Sequence, residues 1–396
     1  MSTLTRPKTQ FAVLIVLGLS HFLNDLMQSL IPAVYPIIKE SYALDFVQIG
    51  IITFTFQIAG SILQPVVGAV TDKRPAPYSP VVGMMFTLSG LVCLARAHDY
   101  TQILISVALI GIGSSIFHPE ATRMARYASG GRQGLAQGIF QVGGQAGGAL
   151  GPLLAALVIV PKGQGSLTWF AVVALLAMGL LTWTGRQHHQ NIKQLAARRA
   201  SAGAAPSPFP PSKVALAMFV LIFLMFTKNA YGESFRSFYT FYLIEHFGLS
   251  VTASQMMLFV FLFSAAAGAL IGGIVGDKIG RYRVIWISVL GPLPLTLMLP
   301  YVDLFWTGVL SVAINLIMAS AFASIMIYAM DLMPNRVGLV GGLFYGLNFG
   351  LGGVAAAILG VMADTYGLST VYRICALLPL AGLMAWFLPR LDTRGS

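Results

Sequence analysis

Five ionisable residues, Asp25, Glu120, Lys228, Glu233 and Arg236, lie inside long, otherwise apolar stretches of the chain. At the centre of a lipid-spanning helix a charge costs about 2.5–3.5 kcal/mol or more, so each of these groups must face a partner or a wet cavity. Acids in such a place can take and release protons, and cations in such a place can hold oxyanions. The combination points to a transporter.

The acids come with organised surroundings. His21, Asn24, Asp25 and Gln28 recur at i, i+3, i+4 and i+7, which puts all four on one helix face. Asp25 lies about halfway along its run, a position that makes it a candidate proton acceptor; a permanent ion pair is the structural alternative. His21, Asn24 and Gln28 are candidate solute contacts. A later run reads Ser114-Ser115-Ile116-Phe117-His118-Pro119-Glu120, where Pro119 removes an amide donor and crowds the Ser115 carbonyl, so a kink is expected. On a straight helix His118 and Glu120 stand about 200° apart and share no face. Only a kink unites them, and Glu120 has Arg123 at i+3 as another partner. Imidazole titrates near neutrality, which favours His118 as a proton relay, but Asp25, His118 and Glu120 all stay candidates for proton coupling.

The elements that carry these residues are membrane helices. Of 396 residues 57% are hydrophobic and 9% charged, with a mean hydropathy of +0.79. Apolar runs of about 20 residues, the length that crosses roughly 30 Å of hydrocarbon, follow one another with short polar breaks. About twelve are legible, near 11–38, 47–70, 80–97, 101–127, 133–160, 167–185, 214–244, 252–275, 283–301, 304–331, 337–363 and 370–390. The first is too long for a cleaved leader, carries His21, Asn24 and Asp25, and has no small-residue cleavage site, so it is expected to stay. Cys93 and Cys375 lie within apolar runs, with no spacing that marks a metal or redox pair.

The net charge of +11 raises nucleic acid as a partner, but the basic residues alternate between successive breaks, so none is expected. Arg6, Lys8, Lys73, Arg74, Arg132, Lys193, Arg198, Arg199, Lys278, Arg281, Arg283, Arg336 and Arg394 fall on one side; Lys39, Arg96, Lys162 and Arg373 fall on the other. The bias places both termini in the cytoplasm. The longest break turns into Ala-Gly-Ala-Ala-Pro-Ser-Pro-Phe-Pro-Pro, which favours extended chain. The expected organisation is a cytoplasmic N-terminus (1–10), a six-helix bundle (11–185), a cytoplasmic linker (186–212), a second six-helix bundle (213–390) and a tail (391–396). A weak internal repeat supports it: Arg132, Gly134, Gly138, Phe140 and Gly148 recur 204 positions on as Arg336, Gly338, Gly342, Phe344 and Gly352.

In the second half, Gly273-Ile-Val-Gly-Asp277-Lys278-Ile-Gly280-Arg281-Tyr-Arg283 resembles the G-x-x-x-D-[RK]-x-G-R-[RK] loop signature of the major facilitator superfamily. The first-half copy, Gly68-Ala-Val-Thr-Asp72-Lys73-Arg74-Pro75, is degraded after its arginine. The resemblance implies an all-α membrane fold with two six-helix bundles and a cytoplasmic latch made by these acidic and basic residues. Gly138, Gly147, Gly151 and Pro152 are spaced like the antiporter motif of facilitator-type drug/proton antiporters, with Ala155 and Ala156 where that motif ends in glycines. Ordinary small-residue helix packing explains the same spacing.

On the seventh run Lys228, Gly232 and Arg236 step at i, i+4 and i+8, with Asn229 and Glu233 on the adjacent strip. Lys228 is the deepest cation. In the superfamily fold the first and seventh helices flank the central cavity, so Asp25 and Lys228 are expected to oppose each other, with an anionic solute competing for the lysine. Glu233 and Arg236 either neutralise each other or join in binding. Gln57 and Gln64, and Gln137, Gln141 and Gln145, repeat along single faces; Gln57 and Gln141 are candidate solute contacts, although interhelical bonding is the commoner use. Tyr345 and Asn348 form a sparser strip.

Ser20-His21-Phe22-Leu23-Asn24-Asp25, Gly113 through Glu120, Gly130 through Gln137 and Phe238-Tyr239-Thr240-Phe241-Tyr242-Leu243 resemble the fosmidomycin resistance proteins of Gram-negative bacteria, along nearly the whole chain. Glu233 and Arg236 stand outside that pattern. The resemblance implies an inner-membrane, proton-driven efflux pump for a phosphonate antibiotic, needing no cofactor and acting as a monomer. Lys228, Arg236 and His118 suit its oxyanions. Exporting one negative charge across an inside-negative membrane gains about 2.3 kcal/mol per 100 mV. Proton-coupled uptake of a phosphorylated or carboxylated nutrient is the alternative. An enzyme is not expected, since no nucleophile elbow, metal-ligand cluster or nucleotide loop is present.

Overall fold

Each apolar run of the sequence is helical in the computed structural model, which describes residues 9–34, 37–38, 41–44, 46–202, 207 and 209–391. The ends at 1–8 and 392–396, part of the expected linker (203–206 and 208), and Arg6, Lys8, Lys39 and Arg394 lie outside the described residues, as do the side chains of Lys193, Arg198 and Arg199. The helices are α1 (Phe11–Ala33), α2 (Phe46–Lys73), α3 (Ser79–Ala95), α4 (Tyr100–Ala128), α5 (Gln133–Leu154), α6 (Ala171–Ala202) and α7 (Pro211–Phe247). They continue with α8 (Val251–Ile279), α9 (Arg281–Leu290), α10 (Leu293–Met298), α11 (Leu304–Ala319), α12 (Ala321–Leu332), α13 (Val337–Tyr366) and α14 (Leu368–Cys375). No strand occurs among the described residues. Among the described residues ten stretches are long and apolar enough to cross a membrane; α3, at 17 residues, is apolar but shorter. Large side chains such as Phe54, Val172, Phe219, Phe305 and Trp386 stand exposed on the protein, an arrangement suited to lipid rather than water.

Helix starts follow local chemistry. Asp99 caps α4 by accepting the Gln102 N–H at 2.8 Å, Ser250 caps α8 through the Ala253 N–H at 3.2 Å, and Asp303 caps α11 through the Trp306 N–H at 2.9 Å. Gly280 separates α8 from α9 with φ of +91°, a conformation that a side chain resists, which accounts for glycine at that point of the loop signature.

Three runs of the second half expected as continuous helices are interrupted, and in the first half the run at 133–160 passes from α5 into a π-helical turn at Ala155–Ile159. The run at 283–301 breaks between α9 and α10 at Gly291-Pro292, where proline supplies no amide donor. The run at 304–331 divides at Ser320, and that at 370–390 passes from α14 into a 3₁₀ segment, Leu378–Phe387, that carries Pro379. In the opposite direction, α6 runs to Ala202, well beyond the expected span end at 185, because the Gln194–Ala202 stretch is rich in strong helix formers.

The chain forms two compact units. One takes in the described residues of Met1–Pro206 together with Pro334–Gly346, and the other those of Ser207–Met333 with Leu347–Ser396, so α13 contributes to both. In the first unit α1 and α5 meet along glycines: a methyl on Gly143 would strike the Gly18 carbonyl, and one on Gly147 the Phe22 carbonyl. Such close approach replaces the hydrophobic drive that lipid does not provide. The second unit has an aromatic centre of Tyr231, Phe235, Tyr239, Tyr242, Phe261 and Tyr372. Two of its buried hydroxyls are satisfied, Tyr239 by Ser311 Oγ at 3.1 Å and Tyr372 by the Ser234 carbonyl at 2.9 Å.

Candidate functional site

The polar face of α1 is assembled around Asp25. Its Oδ1 accepts the side-chain amides of Asn24 at 2.9 Å and Gln28 at 3.3 Å, and its Oδ2 lies 3.2 Å from His21 Nε2. Helix α4 brings in His118, whose Nε2 is 3.7 Å from Asp25 Oδ1 and 3.3 Å from His21 Nε2. Both rings are anchored from behind: His21 Nδ1 lies 2.7 Å from the Phe140 carbonyl, and His118 Nδ1 lies 3.0 Å from the Ser114 carbonyl and 3.3 Å from Ser114 Oγ. Carbonyl oxygens only accept, so each Nδ1 carries a hydrogen, and in its neutral form each ring turns an Nε2 lone pair toward the other ring and toward Asp25. Three acceptor atoms thus converge, and a shared cation is what relieves their mutual repulsion.

Aromatic side chains wall this cluster. His21 stacks on Phe140 with ring centroids 4.1 Å apart, and Tyr345 lies against His118 at 4.7 Å. Tyr345 donates its hydroxyl to Gln141 Oε1 at 2.6 Å, so Gln141, a candidate solute contact, is bonded within the first unit. Asp25 keeps a side-chain exposure of 19%, while His21 and His118 are buried.

Glu120 does not join the cluster. Helix α4 runs unbroken through Pro119, so the angular separation of a straight helix holds and Glu120 points elsewhere. Its Oε2 accepts from Arg123 at 2.8 Å and its Oε1 lies 3.6 Å from His188 Nε2. Arg123 also donates to the Thr71 carbonyl at 2.6 Å and to Asp72 Oδ1 at 2.6 Å. Asp72 in turn accepts the N–H groups of Gly338 and Leu339, each at 2.8 Å, at the N-terminus of α13. The carboxylate meets two orphan amides and the positive end of the helix dipole.

The first loop signature is thus a bonded network around Asp72, with Gly68 set against the Gly338 carbonyl and Lys73 and Arg74 exposed. In the second copy Arg281 lies 3.8 Å from Asp277 and 2.7 Å from Asp331; Gly273 is buried, and Lys278 and Arg283 are exposed. Of the antiporter-like residues, Gly138 is buried, Gly147 and Gly151 abut Phe22 and Ser29 of α1, and the side chain of Pro152 lies outside the described residues.

In the second unit Lys228 sits with its ammonium 5.7 Å from the centroid of the Phe322 ring. Asn229 donates to Asn348 Oδ1 at 2.7 Å. Glu233 and Arg236 form an ion pair with each other. Gln57 is half-buried on α2.

Sequence reasoning missed His188, which was expected in a linker and instead lies buried on α6, stacked against Tyr127 at 5.3 Å. It also missed the amides of Gly338 and Leu339, since backbone donors leave no mark in residue type. The one available signal was the unusual persistence of Asp72 in the degraded loop copy.

The Major Facilitator Superfamily model matches residues 17–357 and again 237–395. The chain is 53% identical over 389 residues, 97% of its length and 94% of the relative's, to the fosmidomycin resistance protein of Escherichia coli (strain K12). It is 39% identical to the uncharacterized MFS-type transporter YfnC of Bacillus subtilis (strain 168), over 98% of this chain and 95% of that one. Among solved structures, the human organic anion transporter MFSD10 (TETRAN) superposes with a TM-score of 0.76 at 16% identity, covering 96% of this chain and all (100%) of that one, a likeness of fold.

Proposed function

Because the chain belongs to the Major Facilitator Superfamily and is one of its transporters, we propose that it is a proton-driven exporter of fosmidomycin and related small anions. In this reading twelve spans cross the bacterial inner membrane with both termini in the cytoplasm, and the bundles at 11–185 and 213–390 are its two halves. The protein works as a monomer by alternating access, without a cofactor.

The convergence of His21, Asp25 and His118 carries the coupling part of the reading. Three acceptor groups 3.2–3.7 Å from one another form a place that holds one positive charge firmly when it is present and repel one another when it is not. An inward-moving proton is that charge. Lys228, on a polar strip with Asn229, is the cation that takes the phosphonate, and the Phe322 face holds its ammonium in position. Arg236 is engaged with Glu233 and contributes to binding only when that pair opens. The network of Asp72, Arg123 and the α13 N-terminus acts as the cytoplasmic latch.

The test is fosmidomycin flux in proteoliposomes of purified protein, with and without an imposed pH gradient, beside an Asp25→Asn variant. Drug movement against its own gradient, driven by counter-flowing protons and lost in the variant, is the expected result. Flux in the same direction as the protons would replace export with nutrient-type uptake, and no flux at all would remove the drug as substrate.

A further inference from the structure

We propose that His21, Asp25 and His118 form a binding site for a first-row divalent transition metal ion, Zn²⁺ or Co²⁺. The argument rests on geometry. In a tetrahedral zinc site with bonds of about 2.0–2.1 Å, ligand atoms stand about 3.3–3.4 Å apart. Here the two Nε2 atoms are 3.3 Å apart, Asp25 Oδ2 lies 3.2 Å from His21 Nε2, and Asp25 Oδ1 lies 3.7 Å from His118 Nε2. All the candidate ligand atoms fall within 4.8 Å of one another. The Nε2–Nε2 edge of a tetrahedral face and the edge from His21 to the carboxylate are therefore in place before any ion arrives, and a turn of the Asp25 carboxylate is what offers one oxygen to both rings.

The surroundings match what metal-binding imidazoles need. Each Nδ1–H donates to a backbone carbonyl, of Phe140 or of Ser114, which fixes the tautomer that offers Nε2 to the ion and restrains ring rotation. Two imidazoles and one carboxylate with a fourth position left over suit Zn²⁺ and Co²⁺, and suit Mg²⁺ or Ca²⁺ poorly, since those prefer oxygen ligands. Space for the fourth ligand comes from α5: a methyl on Gly144 would lie 2.6 Å from His21 Nε2 and 2.8 Å from Asp25 Oδ2. Glycine there leaves the metal-facing side of both ligands uncovered.

The metal site stands on this cluster alone; only its consequence for export rests on the proposed function. An ion held by all three acceptors occupies the place of the coupling proton, so Zn²⁺ is expected to inhibit flux and chelation to restore it.

The experiment is titration of Co²⁺ into tag-free, full-length protein in detergent, read by the visible d–d bands of four-coordinate cobalt, followed by displacement with Zn²⁺. One Co²⁺ per chain is expected, with the bands lost on adding Zn²⁺. His21→Gln, Asp25→Asn and His118→Gln are each expected to weaken uptake by at least about tenfold. His98→Gln, on an exposed residue outside the cluster, is expected to leave it unchanged. Gly144→Ala keeps every ligand and is expected to weaken uptake as well, so a ligand variant that fails to fold does not decide the matter. Absence of the bands in wild-type protein, or bands that survive all three ligand substitutions, would overturn the proposal. Cobalt uptake by protein that does not move fosmidomycin would leave the metal site and remove the export reading; export without cobalt uptake would do the reverse.

Discussion

Asp72 and Leu339, distant in sequence, are joined by a hydrogen bond of 2.8 Å from the Leu339 N–H to Asp72 Oδ2, while Oδ1 takes the Gly338 N–H and Arg123. One partly buried carboxylate thereby neutralises a buried guanidinium and caps a helix at the same time. Stranding a buried charge with no partner costs about 3–5 kcal/mol; Arg123 keeps Glu120 at 2.8 Å, so the loss of Asp72 costs less than that and falls also on the two amides that lose a charged acceptor. Asp72→Asn is therefore expected to lower the melting temperature of the purified protein clearly, and Lys73→Ala, on an exposed side chain, to leave it unchanged. Equal melting of the two variants would contradict the network.

Neighbouring glycines on α5 offer a paired test of the α1 contact. Alanine at Gly147 would drive a methyl into the Phe22 carbonyl, an overpacking worth about 1–3 kcal/mol. Gly148 has nothing within 4 Å of where its methyl would go, so Gly148→Ala gains helix propensity of about 0.5–1 kcal/mol. Thermal unfolding of the two variants should shift in opposite directions.

Tyr345 has two separable functions at the cluster. Tyr345→Phe removes the 2.6 Å bond to Gln141 and keeps the ring against His118, for an expected loss of about 1 kcal/mol in stability. Tyr345→Ala removes the ring as well and should impair proton-driven flux much more than the phenylalanine variant does. Identical flux in the two variants would show that the wall against His118 is irrelevant to coupling.

Lys228→Met keeps the length and the apolar stem and discards the charge. Fosmidomycin export should be abolished with expression and melting temperature maintained, whereas Lys228→Arg should retain part of the flux. Resistance of cells carrying the methionine variant, measured against wild type, decides this; full resistance would exclude Lys228 as the anion site.

The sequence by itself determined where helices lie and which residues share a face, because lipid demands long apolar runs and a 3.6-residue period sorts side chains around each one. The convergence of His21, Asn24, Asp25 and Gln28 on one side of α1 was legible for that reason, as was the i,i+3 pairing of Glu233 with Arg236 and of Glu120 with Arg123. Periodicity, however, says nothing of which neighbour a face meets. Only the tertiary structure decided that α4 turns His118, and not Glu120, toward Asp25, and that α6 carries His188 to Glu120. It alone supplied the backbone partners: the carbonyls of Phe140 and Ser114 that set the imidazole tautomers, and the amides of Gly338 and Leu339 that receive Asp72. Every residue type carries the carbonyl and all but proline the N–H, so their use is fixed by packing and leaves no trace in the order of side chains.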